Sequence, residues 1–304
     1  MTPSPAGYLH PDYAYSLREF GTPIVLQNSG AHFLRRSIPG SDHADAMHCY
    51  PLLMCSDWAR LPDDLATLSS DLVSVSAVTD PFGTYDEALL RAAFPDVTYA
   101  YKDHFVVDLT QSSRDFISAH HRRYARKARQ SLTVSLCEQP LEYLDTWARL
   151  YANLIERHAI TGITRFSRAS FAAQLQVPGM VMMRAEHHNQ TVGLVLWYRH
   201  PDRAYYHLAA YTEEGYRLRA SFALFDFAIE YFTASGLQWL SLGAGAGVKG
   251  DADDGLSRFK RGWSTSSRTA YFCGRIFDQD HYAQLIRQKQ IPSSRFFPLY
   301  RAST

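Results

Sequence analysis

The sequence predicts an α/β protein built from two α+β halves, and three observations predict it. Short β-rich runs alternate with helical runs over the first hundred residues, three strands joined by tight turns occupy residues 179–212, and a long apolar helix then leads into a further strand. A chain of 304 residues at 46% hydrophobic can bury a large core. That suits one large domain or two of about 150 residues.

In chain order, "TPIVLQ", "HFLRRSI" and "YPLLMC" read as strands, "SDWARLPDDLATLSS" as a helix, "LVSVSAV" as a strand, "YDEALLRAAF" as a helix and "TYAYKDHFVVDL" as a strand. "SIPGSDHADA" and "TDPFG" are turn-rich segments at strand ends, where site-lining loops often lie. From Gln111 the character changes. Ser112, followed three residues later by Asp115, predicts a capping box that opens one continuous helix, "SSRDFISAHHRRYARKARQ". Arg122, Arg126 and Arg129 then share one face, which Arg123 and Lys127 widen into a basic stripe. After a strand "LTVSLC", the run "LEYLDTWARLYANLIERH" sets Leu141, Leu144, Ala148, Tyr151, Ile155 and His158 at the spacing of a core-facing helix.

A helix "FAAQLQ" precedes the meander, whose turns are "HHNQ" and "HPDR". Leu218, Phe222, Phe225, Ile229 and Phe232 mark the buried side of the long helix, which Gly236 ends before the strand "LQWLSLG". The change of character near Gln111 divides the chain into domains 1–110 and 111–304, with exchange of a final strand or helix between them left open.

The 31 Lys+Arg against 30 Asp+Glu argue against a wholesale polyanion binder, so any nucleic-acid contact is confined to a patch. Arg122, Arg123, Arg126, Lys127 and Arg129, with Tyr124 between them, form such a patch; phosphate binding and a solvated helix face are its two readings. Cys49, Cys55, Cys137 and Cys273 lack CxxC spacing and read as reduced core thiols of a cytoplasmic protein. No leader pattern and no apolar window of about 18 residues is present, so no membrane partner is expected. His120-His121, His187-His188 and the set Asp42, His43, Asp45, His48 match no zinc signature, and "GAGAGVKG" is neither a Walker loop nor a dinucleotide fingerprint. Neither a metal nor a resident cofactor is expected.

The segment with the most chemistry is "GLSRFKRGW", Gly255–Trp263, in which three cations surround Phe259 directly behind the glycine-rich "LGAGAGVKGDADD". Together with "VVDLTQSSRDFISAHHRRYARKARQSLTVS" and "YYHLAAYTEEGYRLRASFALFDFAIEYFTASGLQWLSLG", it resembles the GNAT superfamily, and within it the Fem-type branch of two-GNAT-domain aminoacyltransferases and their acetyltransferase-like relatives. The resemblance implies two GNAT-like domains, each a mostly antiparallel mixed sheet flanked by helices.

It also implies roles. Phe259 and Lys260 would lie beside the acyl donor, with Arg261 following. A lysine ammonium can stabilise the oxyanion of a tetrahedral intermediate, and a phenyl ring can stack on a base or cover the acyl group. The glycine-rich loop would open and close over the donor. "GYRLRAS" stands where GNAT enzymes hold coenzyme A pyrophosphate on a glycine-containing turn. Arg217, Arg219 and Ser221 remain there but the glycines do not, which weakens the coenzyme A reading. The basic helix would meet the acceptor end of a tRNA. An amine nucleophile must also lose a proton, and His207, with Tyr206 as partner, is the first candidate base.

The function these features imply is transfer of an aminoacyl group from aminoacyl-tRNA to an amine of a soluble metabolite or peptide. The first alternative is N-acyl transfer from acetyl- or acyl-coenzyme A; the second is a non-catalytic GNAT-like binding scaffold.

Overall fold

The computed structural model describes residues 5–69, 71–245, 254–289 and 294–302. Its strands are β1 (Thr22–Val25), β2 (His32–Ser37), β3 (Ala44–His48), β4 (Ser74–Val78), β5 (Val97–Asp108), β6 (Thr133–Cys137), β7 (Met180–His187), β8 (Gln190–Arg199), β9 (Arg203–Tyr211), β10 (Trp239–Gly243) and β11 (Ser266–Ile276). Its helices are α1 (Pro11–Ser16), α2 (Leu61–Ala66), α3 (Glu87–Ala93), α4 (Ser113–Phe116), α5 (Ala119–Arg129), α6 (Leu144–His158), α7 (Arg168–Gln174), α8 (Glu213–Arg217), α9 (Ala220–Ala234), α10 (Gly255–Arg261) and α11 (Gln279–Lys289). Two compact units result: Met1–His10 with Asp103–Arg268, and Pro11–Lys102 with Thr269–Thr304. The C-terminal helix α11 thus counts with the N-terminal strands.

Both units are mostly antiparallel mixed sheets flanked by helices, as the resemblance implies. The first has the strand order β5-β10-β9-β8-β7-β6, in which only β10 and β9 run parallel. Its core sits where Ala223, Leu224, Phe225, Ala228 and Phe232 of α9 cover Val195, Trp197 and Ala209 of the meander. Fully burying one such large side chain contributes about 1.5–3 kcal/mol. The second unit has the order β1-β2-β3-β4-β11, with β3 and β4 parallel. Phe33, Val75, Ala77, Leu90 and Phe94 fill its core. Its C-terminal residues are pinned to the fully buried Asp45, which pairs with Arg36 and Arg301 and accepts from the Tyr300 hydroxyl at 3.1 Å.

Three local expectations are corrected. The helix drawn from Ser112 is two helices. Ile117 is buried and extended (φ −69°, ψ 125°), Ser112 makes no side-chain cap, and Ser118 caps α5 by accepting from the His121 N–H at 3.2 Å. The break follows because Ser118 N–H is drawn to the carbonyl of Gly262 at 3.0 Å, a tertiary contact that local pattern cannot announce. "YPLLMC" is not a strand; Leu53 alone forms a bridge, to Thr79, and Pro51 brings no N–H to a ladder. The buried face of α6 is Leu144, Trp147, Leu150 and Tyr151, while Leu141 is 43% exposed and His158 is exposed. Trp147, the largest apolar group on the helix, turns the stripe toward itself.

One irregularity positions the site. In the β8–β9 register Leu196 faces Leu208 but Trp197 faces Tyr206, so His207 is an extra residue, a β-bulge. The bulge lets Tyr206 and Tyr211 share the face that α9 covers and turns the His207 side chain to the opposite face.

Candidate functional site

Helix α10 starts where Asp254 accepts from the N–H groups of Leu256 (2.7 Å) and Ser257 (3.0 Å), a strong N-cap. Its last turn aims Lys260 inward. The side chain is 4% exposed; Nζ donates to the carbonyl of Ala244 at 2.6 Å, just past the end of β10, and lies 5.2 Å from the centre of the Tyr206 ring. The parallel ladder of β10 with β9 ends at Ser241↔Tyr205, so the ammonium occupies the place where the two strands stop pairing. An ammonium shielded from water must keep acceptors around it, and a carbonyl plus an aromatic face supply them. Of the glycine-rich loop expected to move over this place, residues 243–254, the part 246–253 lies outside the described residues.

Phe259 is half-buried. Its ring meets Phe225 at 4.9 Å, Phe222 at 5.1 Å and His121 at 5.6 Å, an edge-rich aromatic cluster that joins α5, α9 and α10. His121, which the sequence singles out only as half of a His-His pair, is the joint of that cluster. Its Nε2–H donates to the Phe259 carbonyl at 2.9 Å, and Nδ1 accepts from the Ser118 hydroxyl at 2.7 Å. Burial holds its pKa below the ordinary histidine value, which favours the neutral ring, and the Phe259 carbonyl fixes the tautomer by requiring a proton on Nε2. Gly262 makes room for it, since a Cβ there would stand 2.1 Å from the His121 ring. Arg261 is exposed, with its guanidinium 5.8 Å from the Phe105 ring.

The structure brings Tyr206 to Lys260 but not His207. The His207 imidazole faces away, with Nδ1 accepting from the Tyr8 hydroxyl at 3.0 Å and Nε2 donating to Gln174 Oε1 at 3.0 Å. Burial pushes its pKa down to about 3, so it is neutral and already engaged at both nitrogens. A base role for His207 therefore loses its geometric support. Period-two alternation alone would have separated neighbours 206 and 207; the bulge also decides which of them meets α9.

The residues expected around a phosphate are only partly free for one. Arg219 adopts φ +60° immediately before α9 and lays its guanidinium 3.7 Å from the centre of the Tyr124 ring, which joins the α8–α9 turn to the basic stripe of α5. Ser221 lies half-buried in the first turn of α9. Arg217 is exposed and paired with Glu214 at both carboxylate oxygens.

On α5, Arg122, Arg126 and Arg129 line a groove of about 380 Å³ together with Gln130 and Asp226. Arg129 is already neutralised by Asp226 (3.0 Å) and Glu230 (2.7 Å), and Arg122 donates to the carbonyls of Arg114 and Ile117. Burial nonetheless holds Asp226 above the ordinary carboxylate range. Arg123, Arg126 and Lys127 are exposed, and Arg123 also lies over Tyr124, at 5.1 Å. No signal in the sequence distinguished Arg129 from its neighbours, because its partners come from α9.

Fold and site together define a mixed α/β domain with a buried lysine at the end of a parallel strand pair. Over residues 115–261 the chain matches the acetyltransferase (GNAT) domain family model, and it carries a GNAT domain there. Among solved structures it is similar to FemX, at 14% identity and TM-score 0.65 over 90% of this chain and 92% of that one. It is similar as well to the C-terminal domain of a putative lysylphosphatidylglycerol synthetase from Agrobacterium fabrum (13%, TM-score 0.62, 92% of each chain). L-PGS from Bacillus licheniformis gives 15% identity and TM-score 0.58 over 96% of this chain and all of that one. At such identities these likenesses speak to fold. No sequence relative among curated proteins matches. Among the described residues, no helix is long and apolar enough to cross a membrane.

Proposed function

We propose that this protein transfers an aminoacyl group from aminoacyl-tRNA to an amine, forming an amide. One observation carries the reading: the buried Lys260 ammonium, held between the Ala244 carbonyl and Tyr206 where β9 and β10 stop pairing. The amine nitrogen attacks the ester carbonyl carbon, and the oxygen of that carbonyl becomes an oxyanion that Lys260 Nζ can stabilise in exchange for its bond to Ala244. Collapse breaks the carbon–oxygen bond to the tRNA ribose, and the proton lost by the amine ends on that ribose oxygen. The exposed Arg123, Arg126 and Lys127 supply counter-charge for the tRNA phosphates. Fold likeness to FemX supports the same direction.

The assay is transfer of a labelled aminoacyl group from charged tRNA to a mixture of amino acids and peptides. Lys260→Ala is expected to lower the single-turnover rate by about 10²- to 10³-fold. Label that moves to phosphatidylglycerol vesicles instead of amines would refute the acceptor class. Label that moves to nothing returns the protein to a binding scaffold.

A second reading, acyl-coenzyme A as donor, is favoured by Arg219 and Ser221 at the start of the 15-residue helix α9, where backbone N–H groups suit a pyrophosphate. Calorimetry separates the two: micromolar binding of coenzyme A with transfer of a labelled acetyl group would replace tRNA as the donor.

A further inference from the structure

Helix α10 carries Lys260 but is only seven residues long, too short to hold its own place in water, so other segments must fix where its last turn points. Its first turn is closed locally, by the Asp254 cap and by the Ser257 hydroxyl, which donates to Asp254 Oδ2 at 2.5 Å. Its last turn is closed from elsewhere. The final four carbonyls of a helix lack intrahelical donors. Here the Arg258 carbonyl accepts from the N–H of Gly262 at 3.3 Å, that of Lys260 from Trp263 at 3.0 Å, and that of Arg261 from Ser264 at 3.3 Å. In a continuing helix the Trp263 N–H would reach Phe259. It turns to Lys260 instead, and the Phe259 carbonyl is taken by His121 Nε2–H at 2.9 Å.

That carbonyl belongs to the planar peptide group joining Phe259 to Lys260, so holding it orients the backbone from which the Lys260 side chain departs. The imidazole is well placed to hold it. It is 7% exposed and set between the rings of Trp263 and Phe222, each at 5.1 Å. Ser118 orients it from behind: the hydroxyl donates to Nδ1 at 2.7 Å and accepts the His121 N–H at 3.2 Å, while the Ser118 N–H donates to the Gly262 carbonyl at 3.0 Å. These two bonds from the start of α5 to α10 land on residues 259 and 262, on either side of Lys260. Helix α5 is also the one whose exposed Arg123, Arg126 and Lys127 are proposed to meet tRNA phosphates, so one joint ties that helix to the lysine.

We propose that His121 is a positioning residue for Lys260: through the Phe259 carbonyl it sets the last turn of α10 so that the ammonium stands at the Ala244 carbonyl, where the oxyanion would form. The proposal rests on the transfer reading above and gives His121 no contact with substrate. Its effect is geometric, and a misplacement of about 1 Å can cost about 10²-fold in rate.

Two amide side chains test this on the full chain. His121→Gln places an N–H where Nε2 stood and keeps the donor to Phe259; His121→Asn, one bond shorter, reaches Ser118 but not Phe259. Reductive methylation with peptide mass spectrometry reads the lysine directly. In the wild type the buried Lys260 should be labelled at least about 10-fold more slowly than the exposed Lys127, in His121→Gln it should stay protected, and in His121→Asn it should come within about 3-fold of Lys127. Single-turnover transfer at saturating charged tRNA should fall by about 10- to 100-fold in His121→Asn and stay within about 3-fold of wild type in His121→Gln, with tRNA affinity unchanged in both. Should His121→Asn not fold, Ser118 makes the same comparison. Ser118→Ala keeps the imidazole but removes the hydroxyl from Nδ1 and should unmask Lys260, whereas Ser118→Thr should not. Equal protection and equal rates in the Gln and Asn variants, losses that follow each variant's Tm alone, or weaker tRNA binding with an unchanged rate overturns the proposal. If the labelling splits as described but the wild type transfers no aminoacyl group, the positioning stands and the proposed reaction fails. If transfer proceeds and both variants match the wild type, the reaction stands and the positioning fails.

Discussion

Replacing His207 with leucine separates a structural histidine from a catalytic one. In the folded protein His207 joins Tyr8 to Gln174 through two 3.0 Å hydrogen bonds within a fully protein-enclosed layer that includes Tyr198 at 5.1 Å. Leucine removes both bonds at once, and a buried polar group that loses its partner costs about 1–3 kcal/mol, so the variant should be less stable by roughly 2–5 kcal/mol. For a chain of this size that is a fall in Tm of roughly 5–15 °C.

The histidine also carries a pH signature. Its folded pKa is pushed down to about 3, so its contribution is fully present above the unfolded value near 6.5. As the pH falls from there, the unfolded chain takes up a proton that the folded chain refuses. The loss amounts to about 1.4 kcal/mol per pH unit, or roughly 2 kcal/mol between pH 6.5 and pH 5. The leucine variant lacks this loss, so the stability gap between the two proteins should narrow by that amount on acidification. Urea unfolding of both proteins at pH 6.5 and pH 5 measures the gap, and single-turnover transfer measures the chemistry, which should be nearly unchanged where the variant is folded. A variant with wild-type stability and a rate lowered by 10²-fold or more would refute the structural assignment and restore His207 as a base.

Further outcomes follow from particular contacts. Gly262→Ala sets a Cβ 2.1 Å from the His121 ring, so it should dislodge the joint of α5 and α10 and cost about 2–4 kcal/mol in thermal unfolding; retention of wild-type Tm would show that the ring can move freely. Arg126→Ala should reduce the salt dependence of tRNA binding by about one unit of slope with little effect on stability, whereas Arg129→Ala, which strips Asp226 of its partner, should lower stability and leave the slope nearly as it was. Filter binding across a salt series distinguishes them. Asp45→Ala should be the most damaging change of this set, about 3–5 kcal/mol by urea unfolding, because it strands Arg36 and Arg301 on the buried clasp of the C-terminal residues.

Much of the architecture was legible in the sequence because it is written in local periodicity. The meander, its "HHNQ" turn with His188 and Asn189 at positive φ, the long apolar helix and its Gly236 stop are each specified by residues that are neighbours in sequence. The segment around Lys260 stood out in the sequence because cations flank Phe259 behind a glycine-rich stretch; that Lys260 is buried and Arg261 exposed was not legible there. What failed were statements that needed a partner from elsewhere in the chain. Arg122, Arg126 and Arg129 have the same helical spacing, yet only Arg129 meets Asp226 and Glu230 of α9. His120 and His121 are adjacent in sequence, yet only His121 bonds to the Phe259 carbonyl, 138 positions away.

The sequence by itself determined the meander, the long apolar helix and most of the N-terminal strands and helices, and a basic stripe and a lysine-bearing helix as the places to look. It could do so because hydrophobic period and turn chemistry are properties of neighbours. Tertiary structure alone decided that Lys260 is buried on the Ala244 carbonyl beside Tyr206, that a bulge carries His207 to the opposite face, and that Arg122 and Arg129 of the basic stripe are spent within the protein. Burial, pairing and strand face depend on which distant segments share a surface, and a one-residue bulge is enough to reverse the answer.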